Sequence, residues 1–100
     1  MTAVRWSAEA LERLDEIHAH IAADAPVVAD EMVGRLLART RMLAELPYSG
    51  RRVSDYAQDD LRELLERPYR IIYAVGEGCV EIVTVKHYRQ RLPDNPQQLS

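Results

Sequence analysis

Apolar side chains recur at steps of three and four through the first half of the chain, whereas the second half breaks into short strand-like runs. Leu11, Leu14, Ile17 and Ile21 fall on one side of a helix over about Ala8 to Ala23, because 3.6 residues per turn brings those positions together. Ser7 stands just before it as an N-cap, and Glu9, Glu12, Asp15 and Glu16 gather toward the end where the helix dipole favours anions. Asp24-Ala25-Pro26 reads as a tight connection, with Pro26 at a first-turn position where its missing N–H has no partner to lose. Ala29, Met32, Val33, Leu36, Leu37, Leu43 and Leu46 supply the stripe of a second helix, which ends before Pro47.

Val4-Arg5-Trp6 is predicted as a short strand, and Pro47-Tyr48-Ser49-Gly50 as a turn opening a surface loop to Asp60. Leu61 to Glu66, Tyr69 to Val75 and Cys79 to Lys86 follow as strands joined through Arg67-Pro68 and Gly76-Glu77-Gly78. The order is therefore β-α-α-β-β-β, an α+β fold with a helical hairpin packed on one face of a small, mainly antiparallel sheet. An open sheet of this size cannot stabilise itself alone, so the helices must cover one face. The other face is expected to remain for a partner. Residues 1–93 form the single domain and residues 94–100 a polar C-terminal tail.

With 100 residues and 47% apolar side chains, the chain suffices for one core and is too hydrophobic to be disordered. There is no Phe and one Trp, so that core is aliphatic. The longest apolar run, Ile71 to Val75, is far short of the roughly 20 residues needed to span a membrane. No export segment is indicated, and a single cysteine, Cys79, agrees with a reducing compartment. A cytoplasmic protein without membrane contact is expected.

The net charge of −3 conceals blocks. Residues 1–34 carry two basic against seven acidic side chains; residues 35–53 reverse this, with five against one. Residues 54–66 are acidic again, and residues 67–91 carry five basic against two acidic. Should the two basic blocks meet, they form a local basic patch on an acidic body.

No metal, cofactor or nucleotide site emerges. His18 and His20, two apart on a helix, point in nearly opposite directions, and Glu16 with His20 supplies only two ligands. Gly76-x-Gly78 joins two strands, whereas a phosphate-binding glycine loop must lead into a helix. Cys79, at a strand start, has no activating base nearby in sequence and reads as a packing residue. The informative set is Arg51, Arg52, Arg62, Arg67, Arg70, Lys86, Arg89 and Arg91, concentrated in the sheet half with His87 and Tyr88 among them. Guanidinium forks suit phosphate or carboxylate. Such an array could hold RNA for cleavage, with His87 or Tyr88 moving the proton, or equally an acidic protein segment.

The ordered motifs Trp6-Ser7-x-x-Ala10-x-x-x-Leu14-x-x-Ile17, Leu46-Pro47-x-x-Gly50-Arg51, Leu61-Arg62-Glu63, Tyr69-Arg70-Ile71-Ile72-Tyr73 and Val85-x-His87-x-Arg89 resemble the RelE/ParE toxin superfamily over about residues 4 to 92. The resemblance implies the toxin of a bacterial type II toxin–antitoxin pair, held in a hetero-oligomer by a cognate antitoxin, ParD-like or similar. RelE-like members are ribosome-dependent mRNA endonucleases, and ParE-like members poison DNA gyrase. The Val-x-His-x-Arg ending and the Leu-Pro-x-x-Gly-Arg turn are similar to the ParE-like pattern. A pI near 5.6 also sits poorly with the phosphate neutralisation that ribosome and mRNA binding demand. The favoured expectation is a gyrase inhibitor with no catalytic residue. Lys86, His87, Tyr88, Arg89 and Arg91 would contact the target, and Arg51, Arg52, Arg62 and Arg70 the antitoxin. An mRNA endonuclease is the alternative, and a non-toxic relic that still binds an antitoxin is the third.

Overall fold

Ser7 sits at the junction that organises the fold. In the computed structural model, which describes Thr2–Leu99, its hydroxyl accepts from the Ala10 N–H at 3.0 Å and donates to the Val83 carbonyl at 2.8 Å. One side chain thus caps α1 (Ala8–Ala22) and ties that helix to β5 (Cys79–His87). Before it, β1 (Ala3–Trp6) pairs in parallel with β5, Ala3 opposite Cys79 and Trp6 opposite Ile82. After α1, Pro26 opens α2 (Pro26–Arg41) at its first turn. The second helix is shorter than its apolar stripe predicts: Met42–Ala44 tighten into a 3₁₀ turn, and Leu46 is exposed rather than in the stripe.

The remaining strands are β2 (Arg51–Arg52), β3 (Leu61–Glu66) and β4 (Tyr69–Gly76), and the sheet order is β1-β5-β4-β3-β2. Among the described residues only the β1–β5 pair is parallel, so two helices pack on a five-stranded mixed sheet. The main core lies between the layers. Ala10 and Leu14 of α1 and Met32 and Leu36 of α2 meet Leu64, Ile71, Tyr73, Val80, Ile82 and Val85 of the sheet. Leu11, expected in the α1 stripe, is instead exposed. Among the described residues no helix is long and apolar enough to cross a membrane.

Pairing of β4 with β5 slips by one residue: Ile72 faces Thr84, whereas Tyr73 faces Ile82. Val83 is the extra residue, a β-bulge, and its carbonyl is the one taken by Ser7. The bulge reverses the phase of the strand. Val80 and Ile82 point toward the helices before it, and Val85 does so after it, leaving Thr84 on the opposite face.

That opposite face is not left open along its whole length. Leu61 and Ile72 are covered by Val53 and Tyr56 from the 53–60 loop and by Leu92 and Leu99 from the C-terminal stretch, all buried in a second cluster. Tyr56 fixes the arrangement by donating its hydroxyl to the Pro93 carbonyl at 2.6 Å. The polar tail of the sequence reading therefore returns across the sheet, ending in a 3₁₀ turn at Pro96–Leu99. Two apolar side chains in an otherwise polar segment suffice because the sheet offers them an apolar strip to bury.

Candidate functional site

The charged site grows out of β3, whose sequence Leu-Arg-Glu-Leu-Leu-Glu places one carboxylate in the middle of an apolar strand. Glu63 lies opposite Arg51 of β2, and Arg70 reaches it from the diagonal position on β4, since Arg70 pairs with Leu65 two residues further along. Arg70 grips the carboxylate as a fork, Nη2 to Oε2 at 2.8 Å and Nε to Oε1 at 3.3 Å. Arg51 adds Nη2 and Nε to Oε1 at 3.0 and 3.3 Å. The Glu63 side chain is only 1% exposed and that of Arg70 12%, so each has lost most of its water and depends on the other. Burial alone would lower the pKa of Arg70. Its hydrogen bonds and charge contacts with Glu63, followed by those with Asp55, outweigh burial and raise it, so the guanidinium stays charged.

Beside this pair opens a cleft of about 480 Å³, lined by Arg51, Arg67 and Arg70, with Ser54, Asp55 and Tyr88 at its walls. Asp55 binds Arg70 at 3.4 Å, so two of the three arginines already have carboxylate partners. Arg67, exposed at the β3–β4 turn, has none within ion-pair distance among the described residues.

The remaining sequence candidates fall into three places. Arg62, expected as an exposed antitoxin anchor, is committed internally: it donates to the Asp59 carboxylate at 2.8 Å, the Asp59 carbonyl at 2.9 Å and the Gly50 carbonyl at 3.3 Å. It latches the 50–60 loop to β3. Arg70 is likewise an internal partner, as described. Arg51 and Arg52 keep exposed guanidiniums, with Arg52 3.7 Å from Asp59.

The third place is the end of β5. The strand stops at His87, one residue past its predicted end at Lys86, so Tyr88, Arg89 and Arg91 lie beyond it. Tyr88 turns away, its N–H bonded to the Pro68 carbonyl at 2.7 Å. Because the bulge has reversed the phase, Lys86 pairs with Arg70 on the cleft side, whereas His87 pairs with Tyr69 on the helix side. His87 lines a separate, smaller cleft of about 240 Å³ with Arg13, Glu16 and His20, and Tyr88 lines the arginine cleft. Their rings still stack with centroids 5.0 Å apart, and Arg89 donates to the Tyr88 hydroxyl at 3.0 Å. The His87 Nδ1 accepts the Arg89 N–H at 3.2 Å, so in the neutral ring the proton resides on Nε2. His18, on the outer side of α1, meets Asp30 of α2 at 2.8 Å. Among the described residues no three His, Cys, Asp or Glu side chains gather as a metal site.

Sequence reasoning missed Glu63, Asp55 and Asp59 as partners of the arginines. A carboxylate between Leu61 and Leu65, two positions away on either side in a short strand, was the available signal for Glu63. Nothing local marks the two aspartates, because loop folding alone brings them in.

A helical hairpin on a small mixed sheet, with an arginine-rich cleft at one end and cations at the close of the last strand, defines a small α+β domain with a cationic face. Residues 4–92 match the family described as ParE toxin of type II toxin-antitoxin system, parDE. The chain is 41% identical over 90 residues to a protein named "Putative toxin Y4kP" from Sinorhizobium fredii, covering 90% of this chain and 92% of that one. It is 39% identical over 88 residues to Toxin RelE2 of Caulobacter vibrioides, covering 87% and 96%. A solved structure titled "Chromosomal ParDE TA system from P. aeruginosa" shares the fold, with a TM-score of 0.73 at 22% identity over 87% of this chain and 96% of that one. The protein belongs to the ParE toxin family of type II toxin–antitoxin systems.

Proposed function

We propose that the protein acts as a ParE-like inhibitor of DNA gyrase in the cytoplasm, neutralised in a hetero-oligomer by a cognate, ParD-like antitoxin. The observation that carries this reading is the separation of His87 from the arginine cleft by the bulge in β5. General acid–base cleavage of RNA needs a proton acceptor within hydrogen-bond reach of the nucleophile beside the groups that stabilise the charged transition state. Here the imidazole opens into a cleft whose one guanidinium, that of Arg13, is paired with Glu9, Glu12 and Glu16, and the carboxylates of the arginine cleft are bound to Arg51 and Arg70. Lys86, Arg89 and Arg91 have no carboxylate within ion-pair distance among the described residues, and so remain available to polyanionic DNA held in the target. His87 and Tyr88, stacked on one another, would shape the same contact.

Supercoiling by purified gyrase tests the reading directly. The protein is expected to inhibit it, and His87→Gln, which removes the acid–base group but keeps a polar side chain at the contact, to retain inhibition. A second reading, an mRNA endonuclease, is favoured by the Tyr88 phenol standing in one cleft with Arg67 and Arg70. It requires cleavage of translated mRNA that is lost in Tyr88→Phe, together with unaffected supercoiling.

A further inference from the structure

Of the three guanidiniums that line the larger cleft, those of Arg51 and Arg70 are held by carboxylates and that of Arg67 is not. We propose that this cleft is a binding site for a nucleoside monophosphate, its phosphate taken by Arg67 with the unused edges of Arg51 and Arg70, and its base laid against Leu65, Pro68 and Tyr69. The proposal goes beyond the gyrase reading and does not depend on it.

Internal pairing leaves donors over. Arg51 spends Nε and Nη2 on Glu63, and Arg70 spends the same two nitrogens on Glu63 and Asp55, so the Nη1 of each makes no hydrogen bond among the described residues. The Arg70 Nη1 is not sealed in the interior either: it keeps access to the water of the cleft although the side chain is only 12% exposed. Ser54 adds an exposed hydroxyl to the same wall. Donors from β2, from β4 and from the turn between β3 and β4 thus converge on one concave volume. Such convergence suits a tetrahedral oxyanion, which accepts from several sides, better than a planar carboxylate, which takes a single fork. Both held arginines are fixed in place before any ligand arrives, so they lose little freedom on binding.

Charge and size select the occupant. The three guanidiniums set against Asp55 and Glu63 leave one positive charge over, and Lys86, paired with Arg70 on the cleft side, brings a second. A phosphomonoester at pH 7 carries about −1.5 to −2 and matches that surplus. A volume of about 480 Å³ falls among small-molecule sites, roughly 300–1,000 Å³, and a phosphate alone would leave the apolar wall of Leu65, Pro68 and Tyr69 in water. Asp55, on the opposite count, disfavours a run of phosphates and so favours a single end group. The chemistry recognised is therefore a terminal phosphate carried on a flat organic group, whether a free nucleotide or the 5′-end of a strand.

The test is calorimetric titration of the full chain with adenosine monophosphate, inorganic phosphate, adenosine, and an adenosine dinucleotide with and without a 5′-phosphate. Adenosine monophosphate is expected to saturate one site per chain and to bind at least about tenfold more tightly than phosphate or adenosine alone, since only it meets both halves of the cleft. Arg67→Ala should weaken it by about tenfold or more, the loss expected for a hydrogen bond to a charged group. Arg67 is exposed at a turn, so that variant should keep the wild-type thermal midpoint. Asp55→Asn should tighten binding by about threefold, because it removes the one carboxylate on the wall. A 5′-phosphorylated dinucleotide that binds as well as the mononucleotide assigns a strand end as the source, and one that is refused assigns the free nucleotide. Failure of adenosine monophosphate to bind, equal binding by Arg67→Ala, or equal binding of the dinucleotide without its phosphate would each overturn the site, and none of these results bears on supercoiling.

Discussion

Removing the Glu63 carboxylate isolates the charge pair on which the arginine cleft is built. In Glu63→Ala, Arg51 loses a partner at little cost, because its guanidinium is 66% exposed and water replaces the bond. Arg70 is different: at 12% exposure it is left with Asp55 alone, 3.4 Å away. Breaking a buried ion pair by deleting one partner typically costs about 3–5 kcal/mol. The surviving Asp55 contact and the open cleft beside Arg70 place this case at the low end, about 3 kcal/mol. For a domain of this size that corresponds to a fall of about 12–24 °C in thermal midpoint, measured by circular dichroism. Replacing both charges, Glu63→Met with Arg70→Met, leaves no orphan and should return stability to within about 1 kcal/mol of wild type. If the double variant is as unstable as Glu63→Ala, the loss comes from packing around β3, and the account of Arg70 as a dependent buried charge is wrong.

Gly50→Ala should be about as damaging, by roughly 3 kcal/mol, because a Cβ there would lie 2.5 Å from the Tyr73 hydroxyl and 2.6 Å from the Glu63 carbonyl oxygen. Adding Tyr73→Phe should recover only part of the loss, since the backbone clash with Glu63 remains, and full recovery in a denaturant titration would contradict the geometry. Alkaline stability should fall once the pH exceeds about 10. Burial raises the phenol pKa values of Tyr56, Tyr69 and Tyr73 above their ordinary 10.0, so the unfolded chain loses these protons first. Their contribution is complete below that pH and is lost as pH rises through the raised folded values; a thermal midpoint unchanged from pH 8 to 11.5 would refute it. Arg89→Ala with Arg91→Ala should weaken inhibition of supercoiling by at least tenfold while moving the midpoint by less than about 2 °C, because exposed charges contribute little to folding. Undiminished inhibition would remove this segment from the target contact.

The helices and three of the strands were legible because each repeats its apolar residues at a single period. Ser7 and Pro26 marked the helix starts through chemistry that acts within one turn. The features that escaped depend on distant partners. The two-residue strand Arg51–Arg52 exists because β3 offers an edge and Glu63 a counter-charge, neither visible in the loop itself. The bulge at Val83 is hidden in the β-branched run Ile82-Val83-Thr84-Val85, which shows no alternation to mark a change of phase, and it decides which cleft receives His87. The arginines stood out as a set, but which of them were free depended on Asp55, Asp59 and Glu63, aligned with them only by the folded loop and strand.

The parallel pairing of β1 with β5 gives the protein a timetable. Arg5 and Glu81, opposite one another across that ladder, are 76 residues apart in sequence. At roughly 5–20 residues per second, synthesis takes about 4–15 s to supply the strand that the first one needs. From the end of α2 at Arg41 onward the helical hairpin has Leu14, Met32 and Leu36 uncovered, since the strands that bury them do not yet exist. A nascent chain halted anywhere before Cys79 lacks the lysine, histidine, tyrosine and arginines at the end of β5, and its first strand has nothing to pair with. A message interrupted in that span therefore yields a chain whose helices lack the sheet that buries them, and the folded domain exists only once β5 has been made.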